Sequence, residues 1–274
     1  MSDLLTINAF TGGFNGLDSS TGLGVPDHIR WVYSQNPFDG ITIFEQGAMF
    51  EFDVGKIKSE FKIGWLSESR ALHPDSYARA WEKRALFDYI FTYDEYLLAL
   101  EPERFKLCPR GSIYIPQSEW GLRPKNKDVA LICSRKYAAP GHILRHLVAE
   151  RFAGRIDVYG RTEYADKRKV LPDYRFCLAI EAQNSNNMFD GQLLEAIALG
   201  CVPIFWGCPN IGEFLDVEGI LHFQDLDELD TILYYANPLV YADMLPALQR
   251  NLARLPEYRL AEDWMYEHLL KGLL

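Results

Sequence analysis

Short apolar runs rich in β-branched and aromatic residues alternate with longer amphipathic stretches along this chain, and this alternation constrains its fold most. The candidate strands are residues 4–10, 41–45, 61–66, 89–93 and 113–116, then 129–133, 156–159, 176–180, 202–206 and 220–223. Helical patterns over 77–87, 141–152, 191–199 and 226–235 lie between them, and a polar–apolar run continues from Tyr241 onward. Strands alternating with helices form βαβ units, so the expected class is α/β with parallel sheets. The segment 121–128, GLRPKNKD, combines Gly, Pro and charge between the two strand sets and reads as a linker.

Charge and cysteine usage exclude several function classes. A net charge of −10 opposes a broad nucleic-acid surface, because such proteins gain affinity by neutralising phosphates with Lys and Arg. Nucleic acid is therefore not an expected partner, although a local basic pocket fits the composition. The five cysteines, Cys108, Cys133, Cys177, Cys201 and Cys208, are odd in number and widely spaced, which suits reduced core thiols rather than a disulfide framework or a zinc site. The N-terminal MSDLLTINAFTGG lacks the charged and apolar regions of a leader, and no stretch reaches the length of a membrane span. A cytoplasmic location without a membrane span is expected.

The segment 173–214 carries the most chemistry. It reads as an apolar strand ending in Glu181, a polar loop, a helix opening after Asp190, and a buried strand ending in Trp206-Gly207. A helix N-terminus presents N–H groups and a positive dipole end, so residues from Asn184 to Gln192 are placed to cradle a diphosphate. The alternative is that Asp190 caps the helix and Glu181 pairs with an arginine. Asp225-Leu226-Asp227 matches a metal-binding D-x-D pattern but sits where a helix cap belongs. His142 and His146 have metal-ligand spacing without a recognisable third ligand, and no metal is expected. Gly12-Gly13 and Gly22-Leu23-Gly24 mark a turn-rich connection.

Three stretches, Ala179-Ile180-Glu181, Phe189-Asp190-Gly191-Gln192 and the run from Gly200 to Asn210 (GCVPIFWGCPN), together resemble the donor-binding region of the family 10 glycosyltransferases, the fucosyltransferases and their compact viral and bacterial relatives. Residues 130–160 resemble that family's strand, Ser-bearing loop, Arg-bearing helix and Asp-x-Tyr-Gly strand. The resemblance implies Arg145 as the phosphate-binding arginine and Ser134, Tyr159, Glu181, Asn184, Asp190 and Gln192 as donor contacts. In the first half it rests on Ile63–Ser69 (IGWLSES) and residues 87–98, and implies Glu68 as general base, with Glu45 in reserve.

What the resemblance implies is a GT-B-like α/β fold of two Rossmann-type lobes with parallel sheets facing across a cleft. Residues 1–124 would form an acceptor lobe and 125–274 a donor lobe with C-terminal helices. The implied function is inverting, metal-independent transfer of a hexosyl or deoxyhexosyl group from a nucleoside diphosphate sugar, GDP-linked in the family, to a hydroxyl of a glycan or small-molecule acceptor. No cofactor is required, since the sugar nucleotide is a substrate. Two departures bear on the donor: the family's Glu and Lys are Gly191 and Gln192 here, which removes a cation and leaves phosphate neutralisation to Arg145, with Lys136, Arg135 or Arg161 assisting. A non-catalytic sugar-nucleotide or glycan-binding protein that retains the fold is the second reading they suggest.

Overall fold

The computed structural model describes residues 4–273 and divides the chain into two compact units. The first comprises residues up to Ser112 together with those from Glu257 onward; the second is Ile113–Pro256.

The first unit is built on β1 (Leu5–Phe10), β2 (Ile29–Val32), β3 (Phe38–Glu45), β4 (Ser59–Trp65), β5 (Tyr89–Thr92) and β6 (Phe105–Leu107). They form one parallel sheet in the order β2-β1-β3-β4-β5-β6. Its helices are α1 (Ala48–Glu51), α2 (Pro74–Lys83) and α3 (Glu95–Leu100). A parallel sheet covered on both faces needs continuous apolar strands, and Ile41, Ile43 and Phe44 of β3 are all buried. Phe44 stacks on Phe10 of the adjacent strand, with ring centroids 5.0 Å apart. Pro74 opens α2, where its missing N–H costs no hydrogen bond, and the Asp94 carboxylate caps α3 through Leu97 N.

The second unit contains β7 (Lys127–Ile132), α4 (Pro140–Arg151), β8 (Asp157–Tyr159), α5 (Lys167–Val170), β9 (Tyr174–Ile180), α6 (Gly191–Ala198), β10 (Val202–Trp206), β11 (Leu221–His222), α7 (Leu226–Tyr235) and α8 (Pro238–Arg254). The strands are again parallel, in the order β11-β10-β9-β7-β8. β9 is central and its side chains from Phe176 to Ile180 are buried. Tyr241 of α8 packs edge-on against Phe176 and donates its hydroxyl to Gly200 O at 2.8 Å.

Several sequence expectations are corrected. Residues 113–116 are not a strand: Tyr114 N donates to the Glu195 carboxylate at 2.9 Å, and Pro116 has no N–H to offer a ladder. The short edge strands β2 and β6 were not expected, since an edge strand of three or four residues carries too little periodicity to stand out.

The division of the chain also differs from a break at 124/125. The stretch 121–126 packs onto the second unit, with Gly121 N bonded to Ala198 O at 2.8 Å beneath the turn where Gly200 takes a φ of 72° to end α6. The last helix, α9 (Ala261–His268), belongs to the first unit. Its Glu262 carboxylate is fully buried and accepts from Ser20 N and Oγ and from Trp31 Nε1. A fragment ending at Ser112 therefore lacks a core element. It is expected to show no cooperative thermal transition by circular dichroism until a peptide covering 257–274 is added.

Candidate functional site

In the second unit, the carboxyl ends of β7 and β9 bring together most of the residues singled out from sequence. β9 runs into Glu181, whose backbone N donates to Trp206 O of the neighbouring strand at 2.9 Å. The N-terminus of α4 packs directly on this end: a side-chain Cβ at Gly141 would lie 1.6 Å from the Glu181 carbonyl oxygen, so only glycine fits. One turn further on, Arg145 is buried and gives both Nε, at 2.9 Å, and one Nη to the Ile180 carbonyl. Its other Nη has no hydrogen-bond partner among the described residues. Burial holds the guanidinium below the usual arginine range, opposed by the charges of Glu181 and Asp190, and it stays protonated at neutral pH.

The expectation that the start of α6 cradles a diphosphate with free N–H groups is corrected. Glu181 Oε1 accepts from Asp190 N (3.1 Å) and Leu193 N (3.3 Å), and Asp190 caps the helix by accepting from Gln192 N at 3.0 Å. Two carboxyl groups thus fill the helix end that an anion would otherwise occupy. Of the alternative reading, the Asp190 cap is present, while a pairing of Glu181 with an arginine is absent among the described ion pairs. Burial, followed by the adjacent Asp190 charge, pushes the Glu181 carboxyl well above the usual range.

A buried acid with a raised folded-state pKa favours the fold below its unfolded value and loses that contribution as pH rises through the folded value. Thermal stability should therefore fall by up to about 1.4 kcal/mol per pH unit above the ordinary carboxylate range. Glu181→Gln is expected to flatten that part of the profile in a series of melts.

The other expected donor contacts are distributed as follows. Asn184 is exposed and its Nδ2 lies 3.4 Å from Gln224 Oε1. Gln192 is half-buried on the first turn of α6. Ser134 Oγ accepts from Lys136 N at 3.5 Å, shaping the loop after β7. The Tyr159 hydroxyl lies 2.7 Å from that of Tyr174, which in turn donates to Asp157 at 2.6 Å. Asp225 is a helix cap, accepting from Asp227 N and Glu228 N at 2.9 Å, while Asp227 pairs with Arg151.

The loop between β7 and α4 carries Ser134, Arg135 and Lys136, which the sequence already offers as a donor contact and as assistants to Arg145. From Ser134 to Ala149 the chain contains no acidic residue, in a protein of net charge −10. Arg135 and Lys136 are exposed, and neither side chain has an ion-pair partner among the described residues. His142, in the first turn of α4, is buried with Nδ1 unpartnered, and desolvation together with the Arg145 and Lys136 charges lowers its pKa to about 4. It is a neutral imidazole at physiological pH. His146 is used differently: it lies 3.2 Å from Lys136 O and stacks on Tyr137. The two histidines do not converge, and no group of three or more His, Cys, Asp or Glu among the described residues could hold a metal ion.

In the first unit, Glu45 is the last residue of β3 and Glu68 lies three residues beyond the end of the adjacent β4. Glu45 is buried, accepting from Thr11 Oγ1 at 2.9 Å and from Ser67 Oγ, and desolvation raises its pKa. Glu68 is a third exposed, pairs with Arg110 at 3.0 Å, and has its backbone N held by Gln46 Oε1 at 3.2 Å. Glu68 is the more exposed of the two carboxylates, and Glu45 holds Ser67, the residue before it. No helix among the described residues is long and apolar enough to cross a membrane.

No family model matches the chain. A putative fucosyltransferase-like protein of Arabidopsis thaliana is 30% identical over 102 residues, a stretch covering 33% of this chain and 20% of that protein. An α1,3-fucosyltransferase solved with GDP-fucose superposes with a TM-score of 0.57 at 13% identity, over 93% of this chain and 90% of that one. HepE of Anabaena, solved with UDP and glucose, reaches 0.61 at 11% identity over 98% and 100% of the two chains. Sucrose-phosphate synthase from Thermosynechococcus elongatus reaches 0.60 at 10% identity over 99% of both. These likenesses, with the two parallel-sheet units described above, show that the chain has the α/β fold of the GT-B glycosyltransferases.

Proposed function

We propose that this chain is a fucosyltransferase-like glycosyltransferase that moves a sugar from a nucleoside diphosphate sugar to an acceptor hydroxyl, with inversion and without a metal ion. The observation that carries the reading is the acid-free stretch from Ser134 to Ala149, which gathers Arg135, Lys136 and Arg145 at the carboxyl edge of a Rossmann-type sheet in an otherwise acidic protein. Ligands of such sheets bind at the carboxyl ends of the strands. A diphosphate there meets side-chain cations, since the backbone N–H groups of Gly141 and His142 in α4 and of Asp190, Gln192 and Leu193 around the start of α6 are already bonded within the chain. Arg145 supplies a permanent charge and its other Nη for phosphate oxygens, which takes over the role of the lysine that Gln192 replaces.

In the reaction Glu68 accepts the proton of the acceptor hydroxyl while that oxygen bonds to the anomeric carbon and the carbon–phosphate-oxygen bond breaks. The electron pair of that bond leaves with the nucleoside diphosphate, whose growing charge Arg145, Lys136 and Arg135 stabilise. The glycan or small-molecule nature of the acceptor follows the resemblance, and the same holds for a deoxyhexosyl donor.

A thermal-shift screen of nucleoside diphosphates in excess EDTA tests the donor side of this reading. A ligand at a hundred times its dissociation constant adds about 2.7 kcal/mol, so the matching nucleotide should raise the melting temperature by several degrees without added metal. A shift that appears only when manganese replaces EDTA would defeat metal independence.

A further inference from the structure

In the loop between β7 and α4, Tyr137 is 59% exposed, yet its ring lies flat on a buried imidazole, with centroids 3.8 Å apart and planes within 4°. The support is rigid. His146 is 6% exposed, is fixed on α4, and has its two ring nitrogens 3.2 Å from Lys136 O and 3.6 Å from Cys133 Sγ. One face of the phenol is thus covered and oriented, and the other faces outward. An isolated surface tyrosine has no such constraint, and holding a side chain still in this way costs rotamer entropy that solvent exposure does not return.

The surroundings say what the open face suits. Arg135 and Lys136 precede Tyr137 directly, Arg145 sits immediately before His146 on α4, and no acidic residue occurs between Ser134 and Ala149. A neutral sugar alone gives no use to three cations. A ligand with a flat π-face joined to a polyanion uses both features, because bases stack on aromatic rings while phosphates seek Lys and Arg.

We propose that the Tyr137–His146 stack is the platform for the nucleobase of the nucleoside diphosphate. This rests on the donor-site reading above and deepens it: the loop cations hold the diphosphate, and the outward face of Tyr137 takes the base. Recognition by stacking is tolerant of base identity, so the platform accepts guanine or uracil, the larger purine with more overlap.

Calorimetric titration of the full chain with GDP, UDP and inorganic pyrophosphate separates the two levels of the argument. Tyr137→Ala is expected to weaken GDP and UDP by roughly five- to a hundredfold, the range for loss of one base–aromatic stack. It should leave pyrophosphate affinity unchanged, and Tyr137→Phe, which keeps the ring, should bind all three as the parent does. Unaltered GDP and UDP affinities in Tyr137→Ala would overturn the platform while leaving the donor site standing. An equal loss for pyrophosphate would show that the residue only supports the loop, and would also overturn it. A parent chain that binds none of the three would remove the donor-site reading itself.

Discussion

Arg145→Ala is expected to lower turnover of the sugar nucleotide by about 10²–10³-fold, the usual loss when one preorganised donor to a developing anion is removed. Nucleoside diphosphate affinity should fall less, by on the order of ten- to a hundredfold, because a charge-assisted hydrogen bond is worth about 1.5–3 kcal/mol in the ground state. The unequal losses follow from the leaving group gaining charge only as its bond to the sugar breaks. Arg145 also holds the Ile180 carbonyl, so the alanine variant leaves that buried acceptor without its donor and should melt somewhat earlier. Arg145→Lys keeps a charge but not the fork, since an ammonium on a flexible stem cannot hold the carbonyl with one edge and a phosphate with the other. Steady-state kinetics and calorimetry on both variants provide the check: equal losses in affinity and turnover would place Arg145 in the scaffold alone.

Glu68→Gln should reduce transfer to an acceptor by about 10²–10⁴-fold while sparing slow hydrolysis of the donor, because the amide cannot take the acceptor proton. The carboxylate is a third exposed and paired with Arg110, whereas Glu45 is buried against Thr11 and Ser67. Glu45→Gln is accordingly expected to have the smaller effect, acting through the turn from Ser67 to Glu68. Comparing transfer and hydrolysis rates in the two variants distinguishes them, and a larger transfer defect in Glu45→Gln would exchange their roles.

Much of the architecture was legible in the sequence because long buried strands such as β3 and β9 announce themselves as uninterrupted apolar runs. What escaped notice was decided by contacts distant in sequence. The segment 121–126 reads as a linker from its Gly, Pro and charges, yet it is held against the end of α6 through Gly121 and Gly200. The return of α9 to the first unit depends on Glu262 meeting Ser20 and Trp31, more than two hundred residues away, and no local pattern encodes that.

The site was legible by residue but not by role. Glu181 and Asp190 do gather with Arg145 at one sheet edge; the Asp190 cap was the alternative reading, whereas the bonds from Asp190 N and Leu193 N to the Glu181 carboxyl have no local signature in the sequence. The His142 and His146 spacing lacked a third ligand, and the structure gives the two imidazoles separate settings, one buried and neutral and the other beneath Tyr137. The absence of acidic residues between Ser134 and Ala149 was the available signal for that loop.

The claim that this chain is a catalyst on nucleoside diphosphate sugars meets its most direct test in an acceptor-free assay. The purified chain is incubated with GDP- and UDP-linked sugars in EDTA, and release of the free sugar and nucleoside diphosphate is followed by chromatography. The account predicts slow hydrolysis of at least one donor, abolished in Arg145→Ala and retained in Glu68→Gln. Tight binding of a sugar nucleotide with no hydrolysis above the uncatalysed rate would contradict it, and would identify the chain as a binding protein that keeps the fold without the chemistry.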